Sequence, residues 1–558
     1  MKAGATVAVA AATTVVVVAV AAALGEPAFR DMTAESGIAF RHHNGAFGKK
    51  YLPETMGSGV AFLDLEGDGD QDLVLVNGMD WPERRRGAHT AALFRNRGDG
   101  TFEDATRGSG LDFEAQGMGI AAADIDNDGD IDLFLSALGA DHVLRNDGRG
   151  RFTDATAASG IRESDFSTSA AFLDHDKDGD ADLFVCNYVR WSPATDIRCT
   201  LDGRTKSYCT PQPYQGSTSR LYRNDGRGRF ADVTKAAGLE DPNGKALGVA
   251  VLDYDRDGWP DLAVAHDTQP NRLYRNLGNG TFEERGLSAG IAFDESGRAR
   301  GAMGIDAADY DGSGFPSLLI GNFSNEMKSL YHNEGKGFFL DASATSGLGR
   351  ASLLNLTFGA FFFDYDLDGQ LDVFLANGHV ENDVQRVQEN VSYAQPPHLM
   401  RNLGGGRFRD QAPGSPDLAR PMVARGAAYG DLDGDGDLDV VVSTSGGPAR
   451  VFRNLTPGRG VRVQVKGVKS NRSGLGAEVR LKSGPRWLSH FVRSGGSYCS
   501  QSELPATFGL AGAASAGPLE VRWPSGAVDT VASIAAGESL IVEEGRGAVE
   551  RRPLKPPR

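Results

Sequence analysis

From Gly59 onward the chain alternates short apolar runs with turns rich in Asp and Gly, and long helical periods are missing. GVAFL, ending at Leu63, and LVLV, ending at Val76, enclose the acidic nonapeptide DLEGDGDQD that starts at Asp64. The same order returns with DIDNDGDID from Asp124, DHDKDGDAD from Asp174 and DYDRDGWPD from Asp253. It returns again with DYDGSGFPS from Asp309, DYDLDGQLD from Asp364 and DLDGDGDLD from Asp431, seven copies in all. Short apolar runs bounded by turn formers predict strands. Their recurrence predicts a repeat architecture.

A second signature follows each acidic loop: LFRN, VLRN, LYRN, LYRN, LYHN, LMRN and VFRN, ending at Asn96, Asn146, Asn224, Asn276, Asn333, Asn402 and Asn454. After six of these a Gly-rich turn leads into FEDAT, FTDAT, FADVT, FEERG, FLDAS or FRDQA, whereas VFRN has no such partner downstream. The missing copy lies at the other end, where Phe29 to Thr33 read FRDMT before AESGI, parallel to FTDATAASGI from Phe152. The N-terminal segment therefore supplies the outer strand of the last blade, which closes a ring and removes exposed sheet edges. A linear solenoid would have no use for that exchange.

The expected fold is all-β: a seven-bladed β-propeller over 26–458, closed by an N-terminal strand, and a small β-rich domain over 459–546. In the latter, VRVQVKG, AEVRLKSG, LEVRWPSG and SLIVEEG are short alternating runs bounded by Gly or Pro. Residues 547–558, ending in basic, Pro-rich RRPLKPPR, are expected to be a disordered tail. Within a blade the order is strand A, acidic loop, strand B, variable loop, strand C, Gly turn, strand D. The A–B loops and C–D turns then share one face, and the B–C and D–A segments share the other.

At the start, one Lys precedes an Ala/Val run from about Ala3 to Leu24. Residues 1–25 read as a secretory signal cut between Ala23 and Glu26; the run is also long enough to remain as an uncleaved anchor. No second apolar run of spanning length follows, so the mature chain is expected to lack a membrane span. Its expected place is extracellular, at the cell surface or periplasmic. Cys199 and Cys209 enclose LDGRTKSY and are close enough to bridge a surface loop in an oxidising compartment; two free thiols are the alternative. Cys186 and Cys499 offer a further pairing for which the sequence gives no other sign.

The acidic loops carry the candidate chemistry. A hard cation takes six to eight oxygen ligands, from several carboxylates around a Gly that lets the chain turn sharply. In DIDNDGDID, Asp124, Asp126 and Asp128 alternate, Gly129 permits the turn, and Asp132 closes the loop at position nine. An EF-hand would need Glu at position twelve, where Leu75, Leu135, Val185, Val264, Leu375 and Val442 stand instead, inside strand-like runs. The expected ligand sets are Asp64, Glu66, Asp68 and Asp72; Asp124, Asp126, Asp128 and Asp132; and Asp174, Asp176, Asp178 and Asp182. To these are added Asp253, Asp255, Asp257 and Asp261; Asp364, Asp366, Asp368 and Asp372; and Asp431, Asp433, Asp435 and Asp439.

In the fifth loop Ser313 and Ser317 replace two carboxylates beside Asp309 and Asp311, so that site is expected to be weak or empty. Oxygen-only ligands favour Ca2+ over zinc or copper, and Mg2+ demands a stricter octahedron. The loops hold 30 of the 74 Asp and Glu residues, and six divalent ions would bring the formal charge from −16 to −4. Solvated Asp/Gly turns are the competing reading, but carboxylates this dense on one rim would repel without cations.

The repeated DxDxDGxxD after a short strand resembles the FG-GAP and VCBS repeats of integrin-type propellers, over about Phe29 to Asn454. SNRSGLGAEVRL from Ser470, FGL at Phe508 and LEVRWPSG from Leu519 look like the ASPIC and UnbV domain. Together the two parts resemble bacterial members of the cartilage acidic protein family. The resemblance implies an exported calcium-binding propeller and no settled biochemical activity; adhesion or matrix interaction enters by analogy alone.

On the face opposite the acidic loops, His42, His43 and Glu54 precede blade one. His266 and Asp267, Glu326 with Asn322, and His379 with Asn377 follow the B strands of blades four, five and six. These residues are expected to ring the channel mouth, either as a ligand site or as hydrogen-bonded loop residues. The insertion from Asn187 to Ser219, with Tyr188, Trp191 and the Cys199/Cys209 pair, is expected on the same face, as a partner contact or as a cap over the channel. No nucleophile elbow, phosphate-binding Gly loop or HExxH occurs. WPERRRG from Trp81 is a basic spot in an acidic chain of pI about 5.2, which disfavours nucleic acid. Two functions follow: a calcium-stabilised adhesion, scaffolding or ligand-binding module for a protein or glycan, or a propeller enzyme of hydrolase or lyase type at the mouth.

Overall fold

The computed structural model describes residues 28–162 and 165–556; the signal-like segment 1–25 lies outside the described residues. Among the described residues seven four-stranded antiparallel sheets form the blades of the propeller. Blade one consists of Val60–Leu63, Asp72–Leu75, Ala92–Asn96 and Phe102–Asp104. Inner strands are buried on both faces, because neighbouring blades stack on each side. That is why they read as continuous apolar or small-residue runs rather than alternating ones. The seventh sheet joins Ala424–Gly430, Asp439–Thr444 and Arg450–Asn454 to Phe29–Asp31, with Phe29 opposite Asn454 and Asp31 opposite Phe452. Phe29 is fully buried among Phe363, Tyr365 and Phe452. The expected strand exchange is therefore observed.

The Asn of the LFRN-type signature has a specific task. Asn96 donates through Nδ2 to the carbonyl of Gln71 in its own blade and to that of Leu432 in blade seven, both at 2.9 Å. Asn146, Asn224, Asn276, Asn333, Asn402 and Asn454 each reach the acidic loop of the preceding blade in the same way. Seven side-chain amides thus join blade to blade around the ring.

The C-terminal domain has two four-stranded sheets. One runs Ala506–Gly509, Gly460–Lys466, Glu538–Glu543, Gly547–Pro553; the other runs Arg486–Phe491, Glu478–Ser483, Leu519–Arg522, Val528–Val531. The expectation of a disordered tail is corrected here. Gly547–Pro553 is an edge strand, with Glu538 opposite Pro553 and Glu543 opposite Gly547. Its charged side chains stay exposed while its backbone pairs with an otherwise open sheet edge, which composition alone does not reveal.

This domain sits on the acidic-loop face and sends one segment, Ser494–Glu503, into the propeller channel. The amides of Ile120, Ile305 and Phe62 donate to the carbonyls of Cys499, Ser497 and Gln501, so inner strands of three blades bond to the inserted segment. Gly59 makes room for it: a β-carbon there would overlap the Cys499 carbonyl oxygen. Cys186 and Cys499 are both buried and remain separate thiols, whereas Cys199 and Cys209 form a disulfide with Cα atoms 5.2 Å apart.

Candidate functional site

Each acidic loop is held open by its own backbone. Asp124 accepts from the amides of Asp128 (3.2 Å) and Gly129 (2.8 Å), and Asp132 accepts from Ile125 (3.1 Å) and Asn146 (2.8 Å). Position nine thus ties the acidic loop to strand C, and position one shapes its turn. Position three behaves differently. The Oδ1 atoms of Asp126, Asp176, Asp255 and Asp366 are buried without a hydrogen-bond partner. In the loops of blades two, three and four, carboxylate oxygens of three aspartates lie within 4.8 Å of one another: Asp124, Asp126 and Asp132; Asp174, Asp176 and Asp178; Asp253, Asp255 and Asp261.

Burial, chiefly, raises Asp124 to about 6 and Asp132 to about 7. Burial and then the neighbouring carboxylates of Asp182 and Asp178 raise Asp174 to about 7. An orphaned buried oxygen among several carboxylates is costly unless a cation meets it. The all-oxygen donor set suits a hard divalent ion.

Sequence reasoning missed a partner of these loops. The Arg that precedes each signature Asn reaches the position-three carboxylate of its own blade. Arg95 meets Glu66 at 2.7 Å, Arg223 meets Asp176 at 2.9 Å, Arg275 meets Asp255 at 2.6 Å, and Arg401 meets Asp366 at 2.7 Å. Arg145 pairs with Asp126, and Arg453 with Asp433. The repeated RN dipeptide was the available signal. In blade five His332 stands in the Arg position, 3.6 Å from Asp311. Ser317 accepts the Asn333 amide at 3.0 Å in place of an aspartate, so the loop keeps its shape with fewer charges.

The seventh loop is buried beneath the C-terminal domain. Arg462 contacts Asp431 at 3.1 Å and Glu503 at 2.7 Å, while Asp433, Asp435 and Asp439 are all buried. A cavity of about 650 Å³ lies between the loops of blades one, two and seven and Arg462, Lys466 and Arg472 of the C-terminal domain. A second, of about 310 Å³, lies between the loops of blades four to six and Glu478, His490 and Arg493.

On the opposite face the expected ring of mouth residues is largely underground. His42, Glu54, His266, Asp267 and His379 are buried, and Glu326 is partly so. Each is engaged locally. His42 Nδ1 accepts from Gly446, His266 Nδ1 from Lys245, and His379 Nδ1 from Glu381. Glu54 accepts from the Tyr208 hydroxyl at 2.9 Å, Asp267 from the Tyr188 hydroxyl at 2.6 Å, and Glu326 from the Gly301 amide at 2.8 Å. His42 and His379 both lie near Arg425, whereas His266 faces Asp241 and Arg272. The four residues His42, Glu54, His266 and His379 therefore do not share one set of contacts.

The reason is the 187–219 insertion, which lies across the mouth. Tyr208 reaches Glu54 and Glu381, the Lys245 ammonium donates to the Pro211 carbonyl, and Asp202 meets Arg386. Trp191, Tyr188, Tyr214 and Cys209 turn inward and join Tyr51, Trp81, Phe358 and Tyr498 in one apolar cluster. The insertion is a cap with its aromatic side chains beneath it.

An FG-GAP-like repeat model matches residues 64–135, 128–185, 201–264, 253–320 and 364–442, more than half of the chain. The chain belongs to the FG-GAP-like repeat family. An ASPIC and UnbV model matches residues 467–549 of this FG-GAP protein. It is 29% identical to Cartilage acidic protein 1 of Xenopus tropicalis over 325 residues, 55% of this chain and 46% of the relative. It is 28% identical to the Homo sapiens protein of the same name over 327 residues, 56% and 46% of the two chains. The FG-GAP protein thus spans about half the length of the curated relatives it matches. A solved lectin of Agrocybe aegerita, described as recognising non-reducing terminal N-acetylglucosamine, overlays with a TM-score of 0.40 at 17% identity, covering 70% of this chain and 86% of that one. An overlay that loose carries no argument. Among the described residues no helix is long and apolar enough to cross a membrane.

Proposed function

We propose that this FG-GAP propeller is an exported, calcium-loaded binding module that serves adhesion, scaffolding or ligand capture outside the cytoplasm. The observation that carries the reading is the recurrence, in four loops, of a position-three carboxylate with one oxygen held by an Arg and the other buried without a partner. Six loops, beginning at Asp64, Asp124, Asp174, Asp253, Asp364 and Asp431, would hold Ca2+, and the loop at Asp309 would hold it weakly or not at all. Bound only by the folded ring, the ions would add stability by mass action. The Cys199–Cys209 disulfide supports an oxidising compartment.

A binding role is favoured over hydrolase or lyase chemistry by the cap, beneath which His42, Glu54, His266, Asp267 and His379 are buried. A partner of protein or glycan type suits a capped propeller of net charge −16, which does not favour nucleic acid. Equilibrium dialysis of the full chain against calcium, followed by metal analysis, tests the premise. Retention of about six ions, with binding of matrix proteins or glycans that chelator abolishes, is the expected result. A chain that retains none and melts identically in chelator would end this reading.

A further inference from the structure

A second kind of metal centre lies away from the acidic loops, on the capped face. His43 comes from the segment ahead of blade one, and Asp80 and His89 come from the loop between the second and third strands of that blade. His43 Nε2 lies 2.7 Å from Asp80 Oδ1, and His89 Nε2 lies 4.0 Å from Asp80 Oδ2. The two imidazole rings stack with centroids 3.7 Å apart and planes 12° apart. One donor atom from each of the three side chains falls within 4.8 Å of the others.

The surroundings fix the Asp80 carboxylate and the backbones that carry the two rings. Asp80 is buried to 7% exposure and accepts from the amides of Arg86 (2.5 Å) and Gly87 (3.2 Å). The backbone amide of His43 donates to Asn77 at 2.7 Å, and that of His89 donates to Glu114 at 3.4 Å. His43 and His89 are 28% and 31% exposed, so the His89 ring has room to turn and a metal held by both rings and Asp80 would keep an open position toward solvent. Two stacked imidazoles sharing one carboxylate gain little as an ion pair, since only one proton can lie between His43 and Asp80. A metal cation replaces that proton and, once the partly exposed His89 ring turns out of the stack, takes one in-plane lone pair from each ring.

We propose that His43, Asp80 and His89 form a site for a borderline divalent transition metal, Zn2+ foremost. The donor set separates it from the acidic loops: two nitrogens and one carboxylate suit zinc, cobalt or nickel, whereas calcium selects oxygen. Three protein ligands leave the fourth tetrahedral position for water or for a carboxylate of a partner.

The test uses the full chain saturated with calcium, so that the acidic loops do not compete, and titrates Zn2+ by calorimetry and Co2+ by visible absorption. One zinc per chain and a tetrahedral cobalt spectrum that zinc displaces are expected. His89→Ala should weaken zinc by about tenfold or more, while His89→Cys, which keeps a zinc ligand, should retain it. Both variants change a partly exposed loop residue, and an unchanged melting temperature in calcium confirms their fold. Absence of stoichiometric zinc binding in the calcium-loaded wild type, or wild-type affinity in His89→Ala, would overturn the proposal.

Discussion

The hydroxyl of Tyr498 donates a 2.8 Å hydrogen bond to the carbonyl of Met56. Tyr498 belongs to the C-terminal domain, and Met56 lies under the cap at the far mouth of the channel. One side chain thus links the two ends of the propeller axis, packed against Phe358 at a centroid distance of 4.9 Å. A propeller channel is lined by inner-strand backbone, and the inserted segment supplies hydrogen-bond partners to that backbone where water otherwise would. The two domains should therefore unfold as one unit.

Removing Tyr498 tests that coupling. Truncation of a large buried aromatic costs on the order of 3–5 kcal/mol, so Tyr498→Ala should lower the urea midpoint and split one transition into two. Gly59→Ala attacks the same contact from the propeller side and should raise hydrogen exchange along 494–503. A single transition with unchanged midpoint in both variants would show that the segment is not needed for cohesion.

The blade-to-blade amides make a separate prediction. Asn224→Ala would leave the carbonyls of Ile125 and Ala181 without their side-chain donor. The Ile125 carbonyl keeps the Gly228 amide, so the loss falls mainly on Ala181, and an unsatisfied buried group costs roughly 1–3 kcal/mol. Asn224→Asp should be at least as damaging, because it removes the donor and adds a buried charge next to Asp182. Chemical denaturation of the two variants against wild type measures this directly.

Calcium should oppose the pH dependence of the metal-free chain. Without metal, burial and neighbouring carboxylates raise Asp64 and Asp124 to about 6 and Asp132 and Asp174 to about 7. Their folded values exceed the ordinary 3.8, so their contribution is fully present below about pH 4 and is lost as the pH rises through 6 to 7. Bound calcium needs the same groups ionised, so its contribution grows across that window. The melting temperature should fall from pH 5 to 7.5 in chelator and rise, or fall less, in calcium. Equal slopes in both conditions would remove the cation from the loops.

Single loops can be probed by Asp126→Ala combined with Asp128→Ala. The pair should lower the melting temperature in calcium and leave it almost unchanged in chelator. An equal loss in both conditions would assign these aspartates a role independent of metal.

The disulfide concerns the cap. In the chain-entropy picture a bridge over so short a loop contributes roughly 3 kcal/mol at most. Cys199→Ser with Cys209→Ser should open the 187–219 insertion, seen as faster exchange at Tyr188, Ser217 and Lys245. The global midpoint should move less, since the Asn stitches and the channel segment are untouched. A collapse of the whole ring would show that the cap is part of its main core.

Much of this protein can be read from its residues in order. Seven acidic loops, six RN signatures with one HN variant, and one orphaned FRDMT segment identify a closed ring, because each is a local pattern and the repeat multiplies it. The loop residues that meet in space are also neighbours in the chain, so Asp124, Asp126 and Asp132 could be grouped from spacing alone. The Arg clamps were within reach for the same reason and were overlooked. By contrast, nothing in GSYCSQS says that Tyr498 lies against Met56, since 442 positions separate them and the segment has no distinctive composition. Which of the two expectations for the mouth residues holds is not legible in the sequence for a related reason. Their polarity suggested exposure, but the cap that buries them is an insertion from another blade, and burial is a property of what lies overhead.

Sequence by itself determined the elements whose information is periodic or local: strands, acidic turns, ring closure and the grouping of candidate ligands. Tertiary structure alone decided the channel segment, the cap, the charged edge strand at 547–553 and the meeting of His43 with Asp80 and His89. Those depend on how distant surfaces fit, and packing and hydrogen-bond satisfaction across the axis leave no period in the chain to read.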